Sequence, residues 1–422
     1  MSEKTIGMTL VMKRKIIIPI IVGNLLEWYD FSLYGFWASV VSRLFFSPAE
    51  SPYFASINTF FIFSTGYLSR PVGAFFFGHI GDRYGRTASL SLSVFLMAGA
   101  TTSIGLLPDY TSIGSLSTLL LLGCRLAQGV AIGGEFTVSV AYVTEHVSLA
   151  RRCFYSSFTM MGTFGGLLLG SVVVALTNTL LDTSAVEHWG WRIPFILGFP
   201  LGMVGLLLRY HLPETPEFLQ RKNTDINLPA CQLLRNYRSR LLVATGLVLF
   251  GAISFTLWFV WLPFYIEQHS NQSTKLVFII NSLNLLMVLC IIPFIGYLAD
   301  RGAAKNWLTI GALLSVLITW VLLGNINLLR PTTFWLLQGL FAVSTACAYA
   351  VVPRLLYDCF PVALRCSGIS LAYNAANLMA SLVPLAATVL VQQQVPVING
   401  LIPLVMLAAI ISILSIYCSR IL

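Results

Sequence analysis

Apolar stretches of about 20 residues alternate with short polar interruptions along the whole chain, the spacing of segments that cross a bilayer. Runs such as 241–250 and 402–416 show no period-2 alternation, which argues against barrel strands. Backbone groups in lipid must find partners within their own segment, so helices remain. The pattern predicts twelve membrane-spanning helices near 16–42, 54–80, 88–107, 116–144, 154–180, 191–211, 241–266, 275–299, 306–324, 333–352, 367–392 and 399–419. The expected fold class is an all-α integral membrane protein built from two six-helix halves. Residues 1–211 form the first half, 212–240 a polar cytoplasmic linker opening Leu212-Pro-Glu-Thr-Pro-Glu-Phe218, and 241–422 the second half. Helix 5 carries Gly162, Gly166 and Gly170 at i, i+4, i+8, a stripe that lets two backbones approach closely.

Composition supports a membrane protein. Only 10% of the 422 residues are charged and 57% are hydrophobic, whereas soluble domains hold about 25% charged residues. Charge then sets the orientation. With the N-terminus in the cytoplasm, nineteen of the 25 lysines and arginines fall on that side or at its helix ends, and four on the other. Both termini are expected to be cytoplasmic, and the net charge of +9 reflects this bias rather than a nucleic-acid partner. The run after Lys13-Arg14-Lys15 contains Glu27 and Asp30 and no clear cleavage site, so it reads as an uncleaved first helix. The last predicted helix ends shortly before Leu422, so no regulatory tail is expected. Eight cysteines without CxxC spacing predict neither metal, cofactor nor disulfide framework. No nucleophile–base constellation or phosphate loop suggests an enzyme.

Five charges sit where lipid makes them costly: Glu27, Asp30, Arg70, Arg125 and Glu135. On a helical wheel, Asn24, Glu27, Asp30 and Tyr34 share a face about 120° wide, as do Arg125, Gln128, Glu135, Ser139 and Tyr142. Two such stripes predict a common hydrated cavity. Glu27 and Asp30, three residues apart, resist simultaneous ionisation, and a carboxyl that takes a proton on one side and releases it on the other is what proton coupling needs. Asp30 is the expected titrating member, with Glu27 assisting. Arg125 would meet a substrate anion or a carboxylate, and Arg70 is expected in a structural ion pair, with Glu135 as partner. Trp258, on a face with Ser254, Trp261 and Tyr265, would line a cation route or belong to an interfacial aromatic belt. Tyr373, Asn374 and Asn377 would be the second half's share of the cavity. The string Gly78-His-Ile-Gly-Asp82-Arg83-Tyr-Gly-Arg86 is echoed at Gly296-Tyr-Leu-Ala-Asp300-Arg301-Gly302, roughly half a chain later. The echo suggests duplication, a usual frame for solute transporters. Asp82, Arg83, Arg86, Asp300 and Arg301 are the expected gating residues on tight turns.

The string from Gly78 to Arg86 resembles the signature loop of the major facilitator superfamily. Gly23-Asn24-Leu-Leu-Glu27-Trp28-Tyr29-Asp30-Phe31 resembles the first-helix signature of its metabolite:proton symporter family, which includes proline/betaine, dicarboxylate, citrate and shikimate carriers. Arg70-Pro71-Val-Gly73, Arg125-Leu-Ala-Gln128-Gly129, Gly133-Gly134-Glu135, Trp189-Gly-Trp191-Arg192-Ile-Pro194-Phe195, Pro213–Phe218 and Phe360-Pro361 through Arg365 add to the match. The resemblance implies alternating access and proton-coupled uptake across a bacterial inner membrane, with functional roles for Asn24, Glu27, Asp30, Arg70, Arg125 and Glu135. Departures are the missing Gly-Arg after Asp300-Arg301 and Asp358 at a frequent glutamate position.

The resulting expectation is a proton-coupled importer of a small organic solute, with an amino-acid-like or betaine-like zwitterion favoured. Alternatives are a di- or tricarboxylate symporter, an exporter of a siderophore or drug-like compound, and, less favoured, a non-transporting solute sensor. Its partners would be solute, protons and the bilayer, with the monomer as functional unit.

Overall fold

In a computed structural model, the structure describes residues 10–49, 51–84, 86–145, 147–210, 229–269, 274–302, 304–324, 331–361, 364–393 and 397–418. The first half comprises α1 (Leu10–Phe36, continued by Ala38–Leu44), α2 (Pro52–Leu68 and Arg70–Tyr84), α3 (Arg86–Leu106), α4 (Ser115–Ile132 and Glu135–Glu145), α5 (Arg152–Leu180) and α6 (Arg192–Tyr210). The second comprises α7 (Arg238–Phe255, a π-helical turn Thr256–Trp261, then Leu262–His269), α8 (Thr274–Arg301), α9 (Ala304–Gly324), α10 (Pro331–Tyr349 and Val352–Cys359), α11 (Arg365–Ser381 and Val383–Gln392) and α12 (Val397–Cys418). Every predicted span overlaps one of these. Of the linker 212–240, residues up to 228 lie outside the described residues, and the rest includes a short helix, Pro229–Asn236.

Among the described residues, eight helices are individually long and apolar enough to cross a membrane, and a ninth is α6 with the turn before it, bent by 47°. The other three crossings are α1, α2 and α3. Two of them carry the expected site: α1 holds Glu27 and Asp30, and α2 is broken at Ser69, just before Arg70-Pro71. Pro71 has no N–H to donate back to Tyr67 O, and Ser69 Oγ occupies the break by donating to Leu126 O at 2.9 Å. A second break, at Gly133-Gly134 of α4, faces this one.

Packing repeats between the halves. In the first, α1 packs on α5 and α6, α2 on α4, and α3 on α6; in the second, α7 packs on α11 and α12, α8 on α10, and α9 on α12. Adding six to each helix number converts one set into the other, as duplication requires. Glycine makes the closest approach possible. A methyl group at Gly166 would overlap the Leu25 carbonyl, and one at Gly162 would stand 2.7 Å from Ile21 O, so the α5 stripe is the seat of α1.

The halves meet along α5 with α8 and α2 with α11. At the face carrying the linker, here called the linker face, Asn374 Nδ2 and Ser370 Oγ of α11 donate to Gly133 O of α4 at 3.1 and 3.3 Å. Towards the opposite face, Ser64 Oγ donates to Ser381 O at 2.7 Å and Phe60 meets Phe264 edge-on at 4.9 Å. The halves therefore touch on both sides of the centre.

One expectation fails at the Asp-Arg strings. They do not form open turns: the first stays helical through Tyr84 and the second through Arg301, so each aspartate lies on the final turn of a helix. The Gly at the start of the second string permits close packing instead; Gly296 sits against Cys153 O and Ser157.

Candidate functional site

Two arginines define the centre of the first half. Arg125 on α4 is fully buried and Arg70 on α2 is 1% exposed. Their guanidinium groups share one ring: Arg125 Cζ is 4.4 Å and Arg70 Cζ 4.8 Å from the Phe31 centroid. Tyr67 (4.0 Å) and Trp28 (5.6 Å) complete the cage of Arg70; Tyr34 (4.5 Å) and Phe63 (5.5 Å) complete that of Arg125. Ring faces carry negative quadrupole potential, so each contact offsets part of the cost of desolvation by about 0.5–2 kcal/mol. Gly66 makes room, since a Cβ there would stand 3.0 Å from Arg125 Nη2.

The rings cannot replace the hydrogen bonds that a guanidinium loses on leaving water. Arg125 Nη1 donates to Gln128 Oε1 at 2.7 Å and Nη2 to Phe63 O at 3.4 Å, but its Nε has no partner. Arg70 Nε and Nη2 have none either. Among the described residues, no ion pair includes Arg70 or Arg125. The expected ion pair between Arg70 and Glu135 is not tested, because the Glu135 side chain lies outside the described residues; among the described residues, three aromatic rings face Arg70. Two buried cations with open donors form a site chemically suited to an anion.

The α1 carboxyls part company. Glu27 and Asp30 are each 3% exposed, but Glu27 acts electrostatically on Tyr373 of α11, at the interface between the halves. Asp30 instead turns between α3 and α6, hydrogen-bonds Thr101 and sits where a Cβ on Gly198 would come within 2.8 Å of its Oδ1. The shared polar face thus divides. Their angular separation of about 60° suffices to aim one at the neighbouring half and the other into its own.

The remaining candidates take definite places. Asn24 Nδ2 donates to Ser139 Oγ (3.2 Å) and Thr159 O (3.3 Å), binding α1 to α4 and α5, while its Oδ1 is unpartnered. Tyr34 donates to Thr59 O at 2.9 Å and presents its ring to Arg125. Tyr373 stacks on Phe136 at 4.2 Å across the interface, and Asn377 Nδ2 donates to Tyr373 O. Asn374 is committed to Gly133 and so ties the halves together. Trp258 and Trp261 are buried inside the second half, Trp258 against Phe341 (4.6 Å) and Trp261 donating to Thr388 Oγ1 (3.1 Å). Burial overturns the interfacial-belt alternative for both tryptophans, because belt residues keep a wet edge.

At the linker face, the Asp300 carboxylate accepts from the Cys153 and Phe154 backbone N–H groups, 2.9 Å each, and so caps α5 from the other half. Arg354 Nη1 lies 3.5 Å from Asp300 Oδ1, and Asp358 receives Arg354 at 3.5 Å and Arg152 at 3.8 Å. Arg301 donates to Tyr297 Oη and is in none of the described ion pairs of this cluster. The side chains of Asp82, Arg83 and Arg86 lie outside the described residues. Reading the sequence passed over Arg354 as a partner, although Arg354 and Asp358 have the i,i+4 spacing of a helix pair. It also passed over Phe31, Tyr67 and Thr101. Tyr67 precedes Arg70 by one helical turn and was findable; Thr101 is one hydroxyl among many and was not.

The profile of the Major Facilitator Superfamily matches residues 20–323. The chain belongs to that superfamily. It is similar to the proline/betaine transporter of Escherichia coli (strain K12), 33% identical over 392 residues, 90% of this chain and 78% of the relative. The glycine betaine/proline/ectoine/pipecolic acid transporter OusA of Dickeya dadantii (strain 3937) matches at the same identity and coverage. The alpha-ketoglutarate permease of Escherichia coli (strain K12) is 32% identical over 356 residues, 84% of this chain and 82% of the relative. In fold, the chain resembles a crystal structure of a D-xylose–proton symporter with TM-score 0.75 at 19% identity, covering 97% of each chain. A proton:xylose symporter bound to 6-bromo-6-deoxy-D-glucose matches with TM-score 0.79 at 17% identity, over 96% of this chain and 94% of that one. This major facilitator protein is a multi-pass membrane transporter and not an enzyme.

Proposed function

We propose that the transporter is a proton-coupled importer of a small carboxylate-bearing solute, with a proline- or betaine-like zwitterion favoured. The observation that carries this is the pair of buried guanidiniums on Phe31 with unfilled donors: a carboxylate entering between the halves finds two cations and no competing described anion in salt-bridge contact with either. The Trp28, Tyr34 and Tyr67 rings face the two guanidiniums and hold them in place for the solute's anionic end. Relatives named for proline, betaine and ectoine support this class. A dicarboxylate is the second reading, favoured by the pairing of two positive charges and by the alpha-ketoglutarate relative.

Asp30 is the proposed proton site. It is a buried carboxyl with no described cation in ion-pair contact, and its Oδ1 lacks any hydrogen-bond donor. Glu27, beside the interface, assists the exchange between the halves. The Asp300 cap on α5, with Arg354, is the proposed linker-face gate: it joins the halves through charge-assisted bonds that must break when that face opens. With both termini and the linker in the cytoplasm of a bacterial inner membrane, that face is the inner one and release through it is uptake. The monomer holds the complete site. One proton crossing a 100 mV potential supplies about 2.3 kcal/mol, enough for roughly a 50-fold solute gradient.

Proteoliposomes test the reading. Under an imposed pH gradient, L-proline, glycine betaine and 2-oxoglutarate are compared for accumulation, inward and outward. Asp30→Asn is expected to abolish accumulation while counterflow stays measurable; accumulation that survives the substitution refutes the proton site. Outward pumping alone would assign the chain to export.

A further inference from the structure

An unbroken hydrogen-bond chain joins the proposed proton site to the proposed anion site. Arg125 Nη1 donates to Gln128 Oε1 at 2.7 Å, Gln128 Nε2 donates to Thr101 Oγ1 at 2.8 Å, and the Thr101 hydroxyl donates to the Asp30 carboxylate. Arg125, Gln128 and Thr101 are fully buried, and Asp30 is 3% exposed, so no bulk water competes with these bonds.

The sense of the chain is forced. A guanidinium only donates, so Gln128 must offer its carbonyl to Arg125 and its amide hydrogens to Thr101. Thr101 Oγ1, filled as an acceptor, has one hydrogen left, and the Asp30 carboxylate accepts it. Gly198 allows the meeting, because a Cβ there would lie 2.8 Å from Asp30 Oδ1 and 2.9 Å from Thr101 Cγ2.

We propose that Gln128 and Thr101 are positioning residues that make the anion affinity of Arg125 depend on the proton at Asp30. This rests on the assignment of Asp30 as the proton site. With Asp30 ionised, the last bond is charge-assisted and polarises the others, drawing Arg125 towards Gln128. A proton added at the unpartnered Oδ1 removes that charge, relaxes the chain and releases Arg125 to a solute carboxylate. The order is proton first, solute second.

Few other charges can intervene. On α1 itself, Glu27 lies one turn away and the Tyr29 hydroxyl is committed to Pro194 O at 2.6 Å. α3 carries no charged residue after Arg86. α6 has Arg192 and Arg209 at its two ends, with Arg192 donating to Gly105 O at 2.9 Å. α5 has only Arg152, at its start, and α4 adds Glu135 and Glu145 beyond its glycine break.

Infrared difference spectra across a pH step, recorded on the purified full-length transporter, read the Asp30 carboxyl directly. The carbonyl band lost in Asp30→Asn identifies it; absence of any such band would refute the proton site itself. Gln128→Met, which does not touch Asp30, is expected to shift that band, as is Thr101→Val, while Thr101→Ser restores the wild-type position. In counterflow of L-proline, glycine betaine and 2-oxoglutarate, the wild-type KM should fall about tenfold on acidification and that of Gln128→Met stay nearly flat. A band unmoved by Gln128→Met, with Asp30→Asn still removing it, overturns the relay and leaves the proton site standing. So does a pH-dependent KM in Thr101→Val equal to wild type.

Discussion

The two six-helix halves pack by the same scheme and bury different chemistry. Pairing α1 with α5 and α3 with α6 has its counterpart in α7 with α11 and α9 with α12. Yet the interior of the first half encloses Glu27, Asp30, Arg70 and Arg125, while that of the second encloses Asn281, Gln338, Tyr373, Asn377 and hydroxyls. Charged residues of α7–α12 lie only towards helix ends. Since the second half folds to the same plan without internal charge, the four ionisable groups are not needed to make a six-helix bundle. Their cost in lipid points to work done by the first half, while the interior of the second is without charge among the described residues.

The sharpest break of this comparison is a matched pair of substitutions. Arg125→Lys loses the planar fork and the ring contacts, and is expected to weaken solute uptake by more than about 100-fold in KM. Tyr373→Phe, in the second half, should cost only about 3- to 10-fold. Equal losses in transport assays would abolish the asymmetry.

Next in size is the gate, where the halves cooperate. Asp300→Ala removes the acceptor for two backbone N–H groups and leaves Arg354 with Asp358 and the Cys153 sulfur. The bias towards the closed linker face should fall by about 1–3 kcal/mol, a factor of roughly 10–100 in open population. Maleimide labelling of the buried Cys153, with the other cysteines replaced, measures this as a faster rate; an unchanged rate would mean that the cap does not hold the gate.

Packing sharpens the comparison at lower cost. Gly166→Ala forces α1 off α5 and should lower stability by about 1–3 kcal/mol. Gly99→Ala, with nothing within 4 Å of the added methyl, should stay within about 0.5 kcal/mol of wild type. Thermal unfolding of the two variants decides whether glycine spacing or glycine number matters.

The smallest effect lies outside the membrane. Asp109 caps the short helix Tyr110–Ile113, and hydrogen bonds from Ser112 and Thr111 hold its carboxyl below the usual value. A depressed folded value stabilises above the unfolded one, about 3.9, and that contribution disappears as pH falls through the folded value. Asp109→Asn should therefore melt slightly below wild type at neutral pH and converge with it in acid. A gap that persists at low pH would show that charge is not the cause.

Much of the architecture was legible because lipid imposes it. Segment length, helix type, the repeat at half the chain and the glycine stripe of α5 all follow from local composition and spacing. The unusual charges marked the site region equally well, because apolar surroundings make each one conspicuous. Their directions were less legible. Helical-wheel angles put Glu27 and Asp30 together, but a difference of about 60° became two destinations once α3, α6 and α11 had taken positions around α1. The aromatic cages were mostly hidden for a related reason: in a sequence with 28 phenylalanines and 16 tyrosines, spacing singles out Tyr67, one turn before Arg70, but not the rings that other helices bring to either arginine.

The order of residues alone determined that this chain crosses a membrane repeatedly, as two related halves, with the charged residues of its helix interiors gathered in one of them. Hydrophobic transfer and backbone hydrogen bonding act segment by segment, so they can be read from a line of letters. Only the tertiary structure decided that Phe31 is shared by two guanidiniums, that Asp300 caps a helix of the other half, and that Thr101 and Gln128 connect Asp30 to Arg125. Those relations join positions far apart in the chain, and hydrogen bonds and ring contacts act only over a few ångströms, a proximity that packing of the helices creates.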